Sequence, residues 1–162
     1  MTEKEMFLQS WDREFQTTMK VLKAYPADKL AFKPHERSRS AGELAWIFVG
    51  ELGIVDMAIK GQIDFSGQPP KPPATMKEIL AAFESTYKQM ASKVKAMSEA
   101  DYNSMIKFPV APKQMGDFRK ADVLWITLMD QVHHRGQFSV YVRLAGGKVP
   151  SIYGPSADEP WM

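Results

Sequence analysis

Three residues of this chain combine metal-competent or acid–base side chains with positions where apolar ones are expected: Glu51, Asp130 and His134. On a helix plotted at about 100° per residue, Glu51 falls near the middle of the stripe made by Leu44, Ile47, Phe48, Val55 and Ala58. An unpaired carboxylate buried there is costly, so it needs a proton, a counter-ion, a bound cation or a water-filled cavity. Asp130 and His134, four apart, share a helix face with Val123, Ile126, Gln137 and Tyr141. From two helices these three residues would bring two carboxylates and one imidazole to a bundle interior, where helical bundles build metal sites. The same residues also fit a purely structural arrangement, an Asp130–His134 hydrogen bond with Glu51 paired to Arg135 or Arg143.

The other chemistry-bearing residues are less well placed. His133 adjoins His134 and so points about 100° away around the helix. His35 lies in the segment Lys33-Pro-His-Glu-Arg and is expected at the surface or in a cap. With no cysteine there is no thiolate nucleophile, disulfide or cysteine-ligated zinc. No glycine-rich phosphate loop, Gly-x-Ser-x-Gly or His-Glu-x-x-His occurs, which leaves nucleotide hydrolysis, serine-hydrolase and metalloprotease chemistry without a motif.

Four helices must position these residues. The first runs from Thr2 to about Ala24, with Phe7, Trp11, Phe15, Thr18 and Leu22 at helical spacing and Thr2 and Glu5 set as a capping box. The second runs from Ser40, boxed with Glu43, to about Lys60 before Gly61. A proline-rich segment, Gly67 to Pro73, forms a stiff crossover to a third helix from Thr75, whose face carries Ile79, Phe83, Tyr87, Met90, Val94 and Met97. From Ser98 to Gly116 the pattern supports only a loop or a short extra turn. The fourth helix spans about Lys120 to Ala145 and stops at Gly146-Gly147. It is apolar almost all round, which predicts that protein surrounds it and that it is either the central helix or part of a homodimer interface. The expected fold is all-α, a single four-helix-bundle domain over residues 1–162 with a long crossover, and a C-terminal tail carrying Ile152, Tyr153 and Trp161 packed back on it.

The bulk composition agrees with one soluble globular domain: 162 residues, 44% hydrophobic and 25% charged. The formal charge of +2 and the mixed character of the densest basic stretch, Lys33 to Arg39 with Pro34 and Glu36, argue against a nucleic-acid partner. No apolar run is long enough for a membrane span, and the charged start lacks a signal peptide's apolar core; the expected location is cytoplasmic.

The run Asp130-Gln-Val-His-His-Arg-Gly-Gln137, followed by Tyr141-Val-Arg143, Gly146 to Pro150 and Ile152-Tyr-Gly-Pro155, resembles the DinB-like superfamily, which includes the YfiT-like thiol transferases. Pro34-His35 and Ser40-Ala-Gly-Glu-Leu-Ala-Trp46 extend the resemblance over nearly the whole chain. It implies a four-helix bundle, often dimeric, with a divalent-metal site of three histidines. Carried onto this sequence, those positions fall on Ile47, Asp130 and His134: His134 matches, Asp130 is another ligand type, and Ile47 binds no metal. Glu51 lies one turn beyond Ile47 on the same face, so the expected site is remodelled to Glu51, Asp130 and His134, suited to Mn, Fe, Zn or Ni. His133, Arg135, Gln137 and Tyr153 are expected to serve as scaffold or cavity wall, with Tyr153 as a roof and Gly136 permitting close helix approach. The activities implied are transfer of a low-molecular-weight thiol or hydrolysis of a small amide. The alternative is a non-catalytic dimeric small-molecule binder or stress-response scaffold whose metal site has degenerated.

Overall fold

The computed structural model describes residues 1–162. Four long helices form the bundle: α1 (Glu3–Lys23), α2 (Ala41–Lys60), α3 (Met76–Ala96) and, last in the chain, α5 (Lys120–Leu144). Between α3 and α5 lie a single turn, α4 (Glu99–Tyr102), and a hairpin of β1 (Met105–Ala111) with β2 (Gln114–Arg119). The molecule is mainly helical.

The helix starts follow from local chemistry. Thr2, Ser40 and Thr75 each accept the backbone N–H three residues on, while Glu5, Glu43 and Glu78 reach back to the cap, so orphan amides of the first turn are satisfied reciprocally. The α2 helix ends at Gly61, whose φ of 75° suits a residue without Cβ. At Gly147 a Cβ would come within 2.8 Å of the Ala24 carbonyl oxygen, so glycine there lets the chain after α5 cross the end of α1.

Each long helix turns one stripe inward. Phe7, Trp11, Phe15 and Leu22 of α1 meet Ile79, Phe83, Tyr87 and Val94 of α3; Leu44, Phe48, Leu52 and Val55 come from α2, and Leu124, Phe138 and Val142 from α5. Phe15 and Tyr87 stack with ring centroids 3.8 Å apart. In the ring of helices α5 packs on both α1 and α2, and α3 closes the opposite side against the same two.

Several expectations need correction. The segment read as loop, Ser98 to Gly116, contains α4 and an antiparallel hairpin in which Ile106 faces Phe118 and Phe108 faces Gly116. Pro109 and Pro112 look like breakers in sequence, but Pro112 lies in the turn between β1 and β2, and Pro109 sits at a register irregularity where the ladder is interrupted, a place proline tolerates. Of the two readings of α5, a central helix enclosed by its own chain does not hold: Ile126, Met129, Val140 and Leu144 are exposed, and a Cβ on Gly136 would meet nothing within 4 Å. The tail does return to the bundle, with Val149 and Ile152 packed against the core and the ion pairs Lys20–Glu159 and Arg143–Asp158 as clasps, while Trp161 stays in solvent.

Candidate metal centre

Glu51 is carried by the middle of α2, one turn after Phe48 and Ile47. Phe48, Leu52 and Val55 commit this side of α2 to the core, so helical geometry takes Glu51 inward with them, to 4% exposure. Facing it across the α2–α5 seam are His134 and, one turn earlier on α5, Asp130. The His134 Nε2 lies 3.5 Å from Glu51 Oε1 and 3.7 Å from Asp130 Oδ1. One ligand atom from each of the three fits within a 4.8 Å cluster.

Both Glu51 carboxyl oxygens are buried and neither has a hydrogen-bond partner. Burial, and then the negative charge of Asp130 beside it, push the Glu51 carboxyl up to about 9. Without an ion the group is therefore protonated at neutral pH. A divalent ion would take the unused lone pairs and remove the like-charge repulsion, and the two-oxygen, one-nitrogen donor set suits such an ion.

The imidazole is oriented for this. Gln137, one turn further along α5, places Oε1 2.9 Å from His134 Nδ1. With the amide oxygen as acceptor, Nδ1 carries the proton and Nε2 turns its lone pair toward the two carboxylates, the outer hydrogen bond that metal-ligating histidines use. Asp130 stands at the rim, its side chain 52% exposed, so the triad runs from a buried Glu51 to a solvent-facing Asp130 and not wholly inside the bundle.

The triad opens into a groove of about 550 Å³ that is lined by Arg39, Trp46, Ile47, Ile54 and the Pro69–Pro72 crossover. Trp46 Nε1 donates to the Pro70 carbonyl oxygen at 2.8 Å and ties the crossover down as a wall. Ile47 thus lines the groove as an apolar neighbour of the ligand cluster.

The remaining expected residues fall elsewhere. Arg135 does not meet Glu51: it turns to the other side of α5 and donates to Glu14 Oε2 at 2.7 Å. Tyr153 does not roof the groove, because its hydroxyl accepts from Arg135 and donates to Glu14. Arg143 holds Asp158 of the tail, so the purely structural alternative for Glu51 has no cation. His133 projects into solvent, and His35 is an exposed loop residue whose Nδ1 accepts the Arg37 N–H. Sequence reasoning missed the place of Arg39, Lys71 and the proline wall in the groove; the signals were the basic stretch Lys33 to Arg39 and the Gly67–Pro73 run, which reads equally well as a spacer.

A helical bundle with an O,O,N cluster on facing helices carries a set of groups that could hold a divalent metal ion. The sequence model of the DinB family matches residues 1–161, and the chain belongs to the DinB family. It is 29% identical over 158 residues to the uncharacterised protein YrdA of Bacillus subtilis (strain 168), covering 94% of this chain and 89% of that one. Its fold resembles crystal structures of a DinB-like protein from Bacillus cereus ATCC 10987 (TM-score 0.77, 22% identity, 92% of this chain and 97% of that one). It also resembles the DinB-like protein YjoA from Bacillus subtilis (TM-score 0.72, 15% identity, 91% and 97%).

Proposed function

We propose that this protein is a divalent-metal-dependent enzyme in which Glu51, Asp130 and His134 hold the ion, and that it transfers a low-molecular-weight thiol or hydrolyses a small amide. The observation that carries the reading is Glu51: a buried carboxyl with both oxygens unpartnered, next to a second carboxylate and an oriented imidazole. A site that had merely decayed gives no reason for a carboxyl in that position, since an apolar residue would pack there at less cost.

The ion would supply Lewis acidity and lower the pKa of what it binds. The chain's own contributions are distinct. Glu51 gives up its proton when the ion enters, Gln137 holds His134 in register, and Trp46 with the crossover screens one side of the groove. The lack of cysteine accords with a thiol brought by the substrate.

The test is the metal content of tag-free protein by mass spectrometry, for the parent chain, Glu51→Gln and Asp130→Asn. One divalent ion per parent chain, lost in both variants, is the expected result, and justifies a thiol-transfer and amidase screen with the Glu51→Gln protein as blank. No ion in the parent after incubation with Mn, Fe, Ni and Zn would overturn the reading in favour of a non-catalytic binder.

A homodimer goes with this reading. Ile126, Met129, Gly136 and Val140 fall on one uncovered stripe of α5, mostly apolar and interrupted by His133. Light scattering is expected to give the mass of two chains for the parent and of one for the paired substitution Met129→Lys, Val140→Glu.

A further inference from the structure

The groove does not end at the ligand cluster. Arg39, the residue before the Ser40 cap, lines both that groove and a second depression of about 410 Å³, which also takes in Arg37, Gln137 and Tyr141. The two hollows therefore adjoin, with Arg39 as their shared wall. Tyr141 fixes this corner by donating its hydroxyl to the Arg39 carbonyl oxygen at 3.0 Å, so the backbone there is anchored to α5.

Three cations line the two adjoining hollows: Arg37 in the second, Lys71 on the crossover side of the first, and Arg39 in both. None has an ion-pair partner, whereas Arg119, Lys120, Arg135 and Arg143 each hold a carboxylate. Glu43 lines the same groove and accepts the Ser40 N–H at 2.6 Å; the bonds from Ser40, with smaller help from the charges of Lys33 and Arg39, hold its carboxyl below the ordinary value. The apolar part of the groove lining is made by Trp46, Ile47, Ile54 and prolines of the crossover. Gln137 belongs to both ends: it lines the cationic hollow and its amide oxygen takes His134 Nδ1.

We propose that the groove is a binding site for a small elongated organic anion, a carboxylate or phosphate ester, whose charged head is held by Arg37 and Arg39 with Lys71 on the crossover wall. Its apolar body lies along Trp46 and Ile47, and its far end reaches Glu51, Asp130 and His134. Guanidinium groups are suited to such a head because their paired N–H donors match two oxygens at once. The placement of the far end rests on the proposed metal centre; the anion subsite stands independently of it.

Phenylacetate, phenyl phosphate and the neutral isostere phenylacetamide are the probes. Each is titrated into the full chain twice, after chelator treatment and after loading with Zn, with the Trp46 indole N–H resonance, assigned by its loss in Trp46→Phe, as the readout. In the chelated protein at least one anion is expected to bind about tenfold more tightly than the amide, as a charge-assisted pair requires. Arg39→Gln, and Arg37→Gln with Lys71→Gln, are expected to remove most of that preference while leaving amide binding and the melting temperature in place. Which anion binds more tightly identifies the head group. Equal binding of anion and amide, no shift of Trp46 with any probe, or a preference that survives both sets of substitutions would overturn the proposal. These outcomes are read without an ion, so they are separate from a failure of the metal centre, which shows instead as absence of bound Zn.

Discussion

Two adjacent residues of α5, His134 and Arg135, each meet a buried glutamate, and the two encounters are opposite in kind. Arg135 faces Glu14 of α1, and the pair is saturated: Glu14 receives the guanidinium and the Tyr153 hydroxyl, and Arg135 also reaches the Glu14 carbonyl and Thr18. Burial alone would raise the Glu14 carboxyl, but the bonds from Tyr153 and Arg135 outweigh it and hold it below its ordinary value. His134 faces Glu51 of α2, where no bond is made and the carboxyl is driven up to about 9. A buried charge whose partners are all present stabilises one arrangement of chain; a buried acid whose partners are missing has capacity left for a ligand.

The largest effect on this contrast is expected from Arg135→Ala, which strands Glu14 without its cation and should cost about 3–5 kcal/mol in denaturant unfolding. Chelation comes next. Removing the proposed ion should lower the melting temperature of the parent, by the equivalent of about 3 kcal/mol at a hundredfold excess of ion over its dissociation constant. It should leave Glu51→Gln unmoved. An unchanged parent melting temperature, with the metal demonstrably lost, would break the comparison.

A third expectation concerns pH. The unfolded chain releases the Glu51 proton near 4.5, and the folded apoprotein holds it to about 9. Between those values the folded state binds more protons, so apoprotein stability falls as pH rises through the window. Glu51→Gln should flatten this slope and stabilise the apoprotein by about 1–3 kcal/mol near pH 8, while abolishing metal uptake. For the Glu14 pair the sign reverses: its contribution is present above the ordinary carboxyl range and is lost as pH falls through the lowered value. The smallest effect is expected from Tyr153→Phe, about 1 kcal/mol. It should also move the acid-unfolding midpoint upward, because Glu14 loses one of the bonds that hold it down.

Most of the bundle was legible in the chain. Thr2, Ser40 and Thr75 with their glutamates three residues on announce helix starts by a local rule that tertiary contacts need not assist, and the inward stripes of α1 and α3 follow from period alone. The hairpin was not legible, because Pro109 and Pro112 mark breaks in an isolated segment and become tolerable only where the ladder is irregular, at Pro109, or where the chain turns between β1 and β2, at Pro112. Within the centre, Glu51, Asp130 and His134 were visible as polar intrusions on apolar stripes, and the structure brings all three together.

The sequence by itself therefore determined which side chains share a helix face, since that depends on spacing within one helix. Only the tertiary structure decided which faces meet. It sent Arg135 to Glu14 and left Glu51 without a cation, and it turned Gln137 from presumed scaffold into the residue that orients His134. It also folded a proline-rich spacer into the wall of a groove. Such pairings join residues far apart in the chain, and helical periodicity, which is local, contains no information about them.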